Sequence, residues 1–146
     1  MKEIESINVN SRIKSLELVS FRIEERQQSN AIDSNKITFE IGFNLHVDEL
    51  QKQVTILNSI EIYSDESKIE KLASFQSKGE FVIENMAEVK KGNGIPSVVA
   101  ATFIGVVVSS SRGMLRILSK GSAFEGAIIP ILNPMSLLGS IDPSGK

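Results

Sequence analysis

From Ile37 to Val47 every second residue is apolar: Ile37, Phe39, Ile41, Phe43, Leu45 and Val47 fall on one face, with Thr38, Glu40, Asn44 and His46 on the other. Successive side chains of a strand point to opposite faces, so this spacing predicts a half-buried antiparallel strand and little else. Such a strand needs neighbours to bond and a layer to cover its apolar face. The following segments supply the neighbours. Val54, Ile56, Ile60 and Ile62 share a parity, and a turn is expected at Ser64-Asp65-Glu66-Ser67. Beyond it Ile69, Ala73, Phe75, Gly79, Phe81 and Ile83 share one face, while Leu72, Ser74, Gln76, Lys78, Glu80 and Val82 share the other. Short connections make these three an antiparallel meander.

A strand at the start of the chain joins them through the polar loop Gln27 to Asn35. Leu16 and Leu18 have one parity and Val19, Phe21 and Ile23 the other, which predicts a bulge near Leu18-Val19. The covering layer comes last. After Lys90-Lys-Gly92-Asn-Gly94 breaks the strand pattern, Pro96 suits the first turn of a helix running from about Ser97 to Lys120, stopped by Gly121. Gly113, just after three serines, marks an expected kink or break near Ser110 to Gly113. Ala127 to Leu138 forms an apolar tail split by Pro130 and Pro134. The expected fold class is α+β: a four-stranded antiparallel sheet with one long helix and a short C-terminal helix packed on one face.

The 146 residues read as a single domain, 1–146, with residues 1–10 and 139–146 as flexible termini. A net charge of −2 and scattered basic residues give no support to nucleic-acid binding. The chain has no cysteine, which excludes disulfides and thiolate chemistry and is compatible with a reducing compartment. Met1-Lys-Glu-Ile-Glu-Ser lacks the basic and apolar regions of a signal peptide, so a cytoplasmic location is expected. Asn93 to Ser111 carries no charge, but its glycine, proline and serine flanks favour a buried helix over a membrane span.

Chemistry is hard to find. His46 is the single histidine and sits on a polar strand face, with no second ligand at a metal-like spacing. Ser109-Ser-Ser-Arg112 is not a nucleophile elbow and has no evident base. Gly92-Asn93-Gly94 lacks the Gly-Lys-Ser/Thr continuation of a phosphate loop. Glu24-Glu25, Glu61 and Asp65-Glu66 read as solvated charges. No catalytic residue, cofactor or metal is therefore assigned, and the chain does not read as an enzyme.

Gly79, Phe81 and Ile83, then Gly121, Pro130 and Asn133, stand in the order and nearly the spacing found in the SecB family of export chaperones. Their last strand reads roughly E-V-x-Q-x-G-x-F-x-I, before a helix ending in S-R-G and a P-V-N-F-D-A-L-like tail. The chain resembles that family over about Arg12 to Leu138. The resemblance implies a homotetramer, a dimer of dimers, that holds unfolded precursors in long apolar grooves and passes them to the motor SecA. It assigns client binding or assembly to Lys71, Ala73, Phe75 and Ser77, and SecA contact to Ser20, Glu24, Leu72 and Ser74. Only Glu24 and Leu72 keep the family's residue type in that second set, and Ser109-Ser-Ser-Arg112 replaces the family's Y-A-R-E. Divergent SecB-like proteins also serve toxin–antitoxin pairs.

Independently of the resemblance, one helix cannot cover both faces of a four-stranded sheet, and the helix from Val98 to Val108 is apolar nearly all round. That surplus predicts an oligomer interface or a binding groove. The expected function is an ATP-independent holdase. Its clients would lie between sheet and helix against Phe21, Ile23, Phe75 and Phe81. The alternatives are a dedicated chaperone of a toxin–antitoxin pair, which the resemblance implies, and a non-chaperone oligomeric interaction module with one folded partner.

Overall fold

The alternating segments become four antiparallel strands: β1 (Ser11–Ile23), β2 (Thr38–Asp48), β3 (Gln53–Tyr63) and β4 (Lys71–Ile83). The computed structural model describes residues 8–26, 32–92, 94–130, 133, 135 and 136. The strands lie in the order β1-β4-β3-β2. The meander therefore runs from β2 to β4, and β1 takes the free edge beside β4, a Greek-key arrangement. Register keeps the apolar rows together: Leu45 stands opposite Ile56 and Ile41 opposite Ile60, while Val54 stands opposite Phe81 and Ile60 opposite Phe75.

Turn chemistry holds this register. The Asp48 carboxylate accepts the Gln51 N–H at 3.1 Å, and Lys52 closes the β2–β3 hairpin with φ at 54°. In the β3–β4 turn the Asp65 carboxylate accepts the N–H and hydroxyl of Ser67, bonds that hold its pKa below the usual carboxylate value. Ile69, expected on the inner face of β4, precedes the strand and is exposed.

The first strand carries two bulges against β4, between Ile13 and Ser15 and between Leu18 and Ser20. The second absorbs the parity switch read at Leu18-Val19. Together they place Ile13, Leu16, Leu18, Phe21 and Ile23 opposite Phe81, Gly79, Ser77, Phe75 and Ala73, all on the helix side of the sheet. A further irregularity lies between β3 and β4, where Ile62 pairs Ala73 but Tyr63 pairs Lys71. Leu72 is left over, and it joins the core cluster of Ile60, Ile62 and Phe75. Strict alternation had put Leu72 on the outer face; the extra residue turns it inward.

Helix α1 (Met86–Val89) is a single turn not anticipated from the sequence, and its Met86 and Val89 are buried. Helix α2 (Ser97–Leu118) runs without a break through Ser110 to Gly113. The hydroxyls of Ser110 and Ser111 donate back to the carbonyls of Val106 and Val107, at 2.9 and 2.8 Å, so they need no disruption of the helix to be satisfied. Pro96 is the N-cap residue, and Gly121, at φ 78°, supplies the left-handed turn after the helix. Val99, Phe103, Ile104 and Val107 of α2 are buried on the sheet side. Residues 131, 132, 134 and 137–146, and with them part of the expected C-terminal tail and helix, lie outside the described residues, as do residues 1–7 and residues 27–31 of the expected polar loop. Asn8 and Asn10, within the expected flexible N-terminus, are tied to the Asn85 side chain by bonds of 2.8 and 2.9 Å.

The core has two apolar halves. Under the first half of α2, Phe81 stacks on Phe103 with ring centroids 4.3 Å apart, amid Val54, Ile56, Ile83 and Ile104. Under its end, Leu115, Phe124 and Ile129 pack on Ile60, Ile62 and Phe75. Between the halves lies a buried polar cluster. The Asn58 amide donates to Ser111 at 2.8 Å and to Ser77 at 3.3 Å, and the two hydroxyls are 2.8 Å apart. Because Ser111 donates to Val107, it must accept from both partners, so Ser77 is its donor. Asn58 Oδ1 has no donor among the described residues. The cluster fixes where α2 lies along the sheet, since a shift by one turn would part Ser111 from Asn58 and Ser77 and leave those two facing hydrocarbon. Ser111→Ala is expected to lower stability by about 1 kcal/mol. Urea unfolding should show a lower midpoint with an unchanged slope.

Candidate binding surface

Helix α2 covers β3 and β4 but not the whole of β1. The helix-side row of β1 therefore emerges past the helix: Ile13 is 51% exposed, Leu18 43% and Ile23 52%, with the bulged Val19 beside them at 50%. Phe21 lies in this row half-buried. Its ring meets those of Phe75 and Phe124 edge-on, at 6.5 and 6.4 Å. An apolar row on an edge strand, next to unpaired backbone groups, is a surface that polypeptide can occupy.

Phe124 leads from this row to a cavity of about 460 Å³ at the far end of α2. Phe39, Ile62, Leu115, Phe124 and Ile129 form its apolar floor; Arg112, Arg116 and Lys120 rise on the helix side, opposite Glu125. Arg112 donates from Nη2 to the Pro130 carbonyl at 2.9 Å. Its Nε is buried with no acceptor among the described residues. The Glu125 carboxylate accepts the Gly121 N–H at 3.1 Å.

The opposite face of the sheet has another character. Lys78 lies 3.2 Å from Glu80 and 3.7 Å from Glu17, and Lys71 lies 3.0 Å from Glu61. Hydrogen bonds and attraction to these carboxylates raise the pKa of both lysines, and the bond from Lys78 lowers that of Glu80. This face satisfies its own charges and offers little apolar surface beyond Leu57.

The residues singled out from the sequence fall into three places. Phe21 and Ile23 sit on the open row of β1. Ala73, Phe75, Ser77 and Phe81 are buried beneath α2, with Phe75 at 0% and Phe81 at 1% exposure, and so are closed off within one chain. Lys71 is exposed at the start of β4. Of the expected SecA-facing set, Ser20, Glu24 and Ser74 remain outside the core, where Ser20 donates to Gln76 and Ser74 to Glu61, and Glu24 pairs with Arg22 at 3.5 Å. Leu72, 1% exposed, is not on that surface. His46 is exposed on the outer side of β2.

Two features escaped the sequence reading although each left a trace. The gaps at Asn58 and Ser77 in otherwise apolar rows marked the polar cluster. Arg112, Arg116 and Lys120, four residues apart, marked a cationic stripe on the half of α2 that carries charge.

No protein-family model matches the chain, and no curated protein matches it in sequence. A solved structure does: the SecB-like chaperone Rv1957 of Mycobacterium tuberculosis, in complex with a ChAD peptide from the HigA1 antitoxin. It matches at a TM-score of 0.60 and 13% identity, over 84% of this chain and 89% of that one. The fold is SecB-like. A protein of unknown function from Streptococcus agalactiae also matches, over 86% of this chain and 100% of its own, at 13% identity and a TM-score of only 0.34. In the SecB-like comparison the shared element is the α+β architecture of a four-stranded antiparallel sheet with helices, and the protein matched is a chaperone.

Proposed function

We propose that this SecB-like protein is an ATP-independent holdase that binds unfolded polypeptide along the open row of β1 and into the cavity at the end of α2. The observation that carries the reading is apolar surface left uncovered on a SecB-like fold: Ile13, Leu18, Val19 and Ile23 on one strand, with Phe21 among them in ring contact with Phe124, which lines an apolar-floored cavity. Each Phe- or Leu-sized client side chain buried there contributes roughly 1.5–3 kcal/mol. A few such contacts give usable affinity without reading a sequence. Release comes from a partner or from the client's own folding, because the chain has no nucleotide-binding loop motif.

The working form of this cytoplasmic chaperone is a homotetramer, in which copies also cover the apolar outer side of α2 around Val98 and Ile117. Clients fall into two classes. Secretory precursors handed on to SecA are one, with Ser20, Glu24 and Ser74 as the available contacts. An antitoxin segment is the other, favoured by the antitoxin peptide bound to the SecB-like protein of the same fold.

Purified protein is expected to suppress aggregation of a slow-folding precursor at near-stoichiometric ratio, without nucleotide, and to scatter light as a tetramer at micromolar concentration. Unchanged aggregation and refolding, with no unfolded client bound by calorimetry, would overturn the holdase reading; a monomer mass would overturn the assembly. Recovery of one stoichiometric folded protein from lysate, rather than many unfolded ones, would instead identify an interaction module.

A further inference from the structure

We propose that the cavity at the end of α2 is a subsite for segments in which a bulky apolar side chain is followed within one or two residues by a carboxylate. The proposal rests on the holdase reading and adds a client chemistry to it. Three cations, Arg112, Arg116 and Lys120, rise beside a floor of Phe39, Ile62, Leu115, Phe124 and Ile129, against the single carboxylate of Glu125. That carboxylate already receives the Gly121 N–H. Arg112 is anchored by Nη2 on the Pro130 carbonyl, while its buried Nε has no acceptor among the described residues. Arg116 and Lys120 are exposed and are the cations that a client carboxylate can reach, while the anchored Arg112 adds its charge beside them. No ion pair engages Arg116 or Lys120 among those of the described residues.

The occupant is polypeptide rather than a free amphipathic acid because the cavity does not stand alone. Phe124, part of its floor, is in ring contact with Phe21, and the exposed row of β1 continues from there. A chain that lies along β1 as far as Phe21 is thereby brought beside the Phe124 wall of the cavity and its cationic rim. On a protein of net charge −2 this rim is a local exception, and it selects clients of a sign that the whole molecule does not favour.

The test is fluorescence anisotropy with the full-length protein and three labelled twelve-residue peptides that share a Leu-Phe-Leu core and are flanked by Asp/Glu, by Ser or by Lys. At low salt the acidic peptide is expected to bind about fivefold tighter than the Ser-flanked one, the gap narrowing as salt is raised. The variant Arg116→Glu/Lys120→Glu changes only exposed side chains, so circular dichroism should be unaltered. It is expected to reverse the order, with the Lys-flanked peptide bound best. Equal affinities, or an order unchanged in the variant, would overturn the proposal while leaving the holdase reading intact, since the Ser-flanked peptide would still bind. If no peptide binds, both readings fall. Leu137→Ser/Leu138→Ser in the full chain is expected to leave the affinities unchanged. A tenfold rise would identify this chain's own tail as the occupant and overturn the assignment.

Discussion

Phe75→Asp is expected to leave no folded protein. Phe75 is fully buried in the middle of β4, opposite Ile60 on one side and Phe21 on the other. It lies in the core half that contains Leu115, Phe124 and Ile129. A carboxylate there would lose its hydration and meet only hydrocarbon, at a cost of several kcal/mol before the lost ring packing is counted. Loss of a buried Phe to a small side chain adds about 3–5 kcal/mol. A domain of this size has about 5–15 kcal/mol in total, so the sum consumes most or all of it. The expected result is loss of soluble protein and of a cooperative thermal transition. Phe75→Leu, which nearly conserves volume and polarity, should remain folded. Ile23→Asp supplies the contrast. Ile23 is half exposed, so the same charge should change stability by at most about 0.5 kcal/mol while weakening the suppression of client aggregation. If Phe75→Asp folds normally and only its assembly changes, the placement of Phe75 inside one chain is wrong.

Gly79→Ala is expected to cost about 3 kcal/mol, near the top of the range for overpacking a core. A Cβ on Gly79 would lie 2.5 Å from Val107 Cγ2, 3.0 Å from the Phe81 ring and 3.3 Å from Leu16 Cδ2. Val107 cannot move aside easily: it is β-branched, on a helix and 1% exposed. The glycine is what lets α2 approach the sheet at this point. Its absent side chain, not its backbone freedom, is the reason for it. Thermal unfolding should fall by about 2–4 °C for each kcal/mol in a chain of this length. Val107→Ala opens the space that the new methyl needs. The double substitution should therefore be less destabilised than the sum of the single ones, by a coupling of about 0.5–3 kcal/mol. Strict additivity would show that Val107 is not the residue that Gly79 accommodates.

The strands were legible because a period of two over ten or more residues has a single structural reading. Ile37 to Val47, Val54 to Ile62 and Ala73 to Ile83 each appear as the strands β2, β3 and β4 with the anticipated faces inward. The bulge at Leu18-Val19 was legible for the same reason, since a parity switch inside an apolar run leaves one residue unaccounted for. The second bulge, at Lys14, follows from an equivalent switch between Ile13 and Leu16 that was less apparent at the strand's start.

Leu72 shows where alternation stops being enough. Its outward parity holds only if the β3–β4 ladder is regular, and the ladder breaks between Ile62 and Tyr63. The break depends on how the turn from Ser64 to Glu70 closes, through the Ser64 N–H bond to the Glu70 carbonyl at 3.0 Å. The same limit applies to the candidate site. Composition and pattern determined that the chain has more apolar surface than one small sheet and helix can hide, but not which residues would remain outside. Phe75 and Phe81 had the same pattern as Phe21 and Ile23. Helix α2 covers the first pair and passes by the second, because it is docked by Gly79 under Val107 and by the Asn58–Ser77–Ser111 cluster. Those contacts join residues 19 to 53 positions apart. The amino-acid sequence by itself determined the four strands, the long helix, most of their inward faces and the apolar excess, all of which depend on neighbours a few residues away. Only the tertiary structure decided the exposed row, the cavity and its cationic rim, because exposure is set by where one packed layer ends over another.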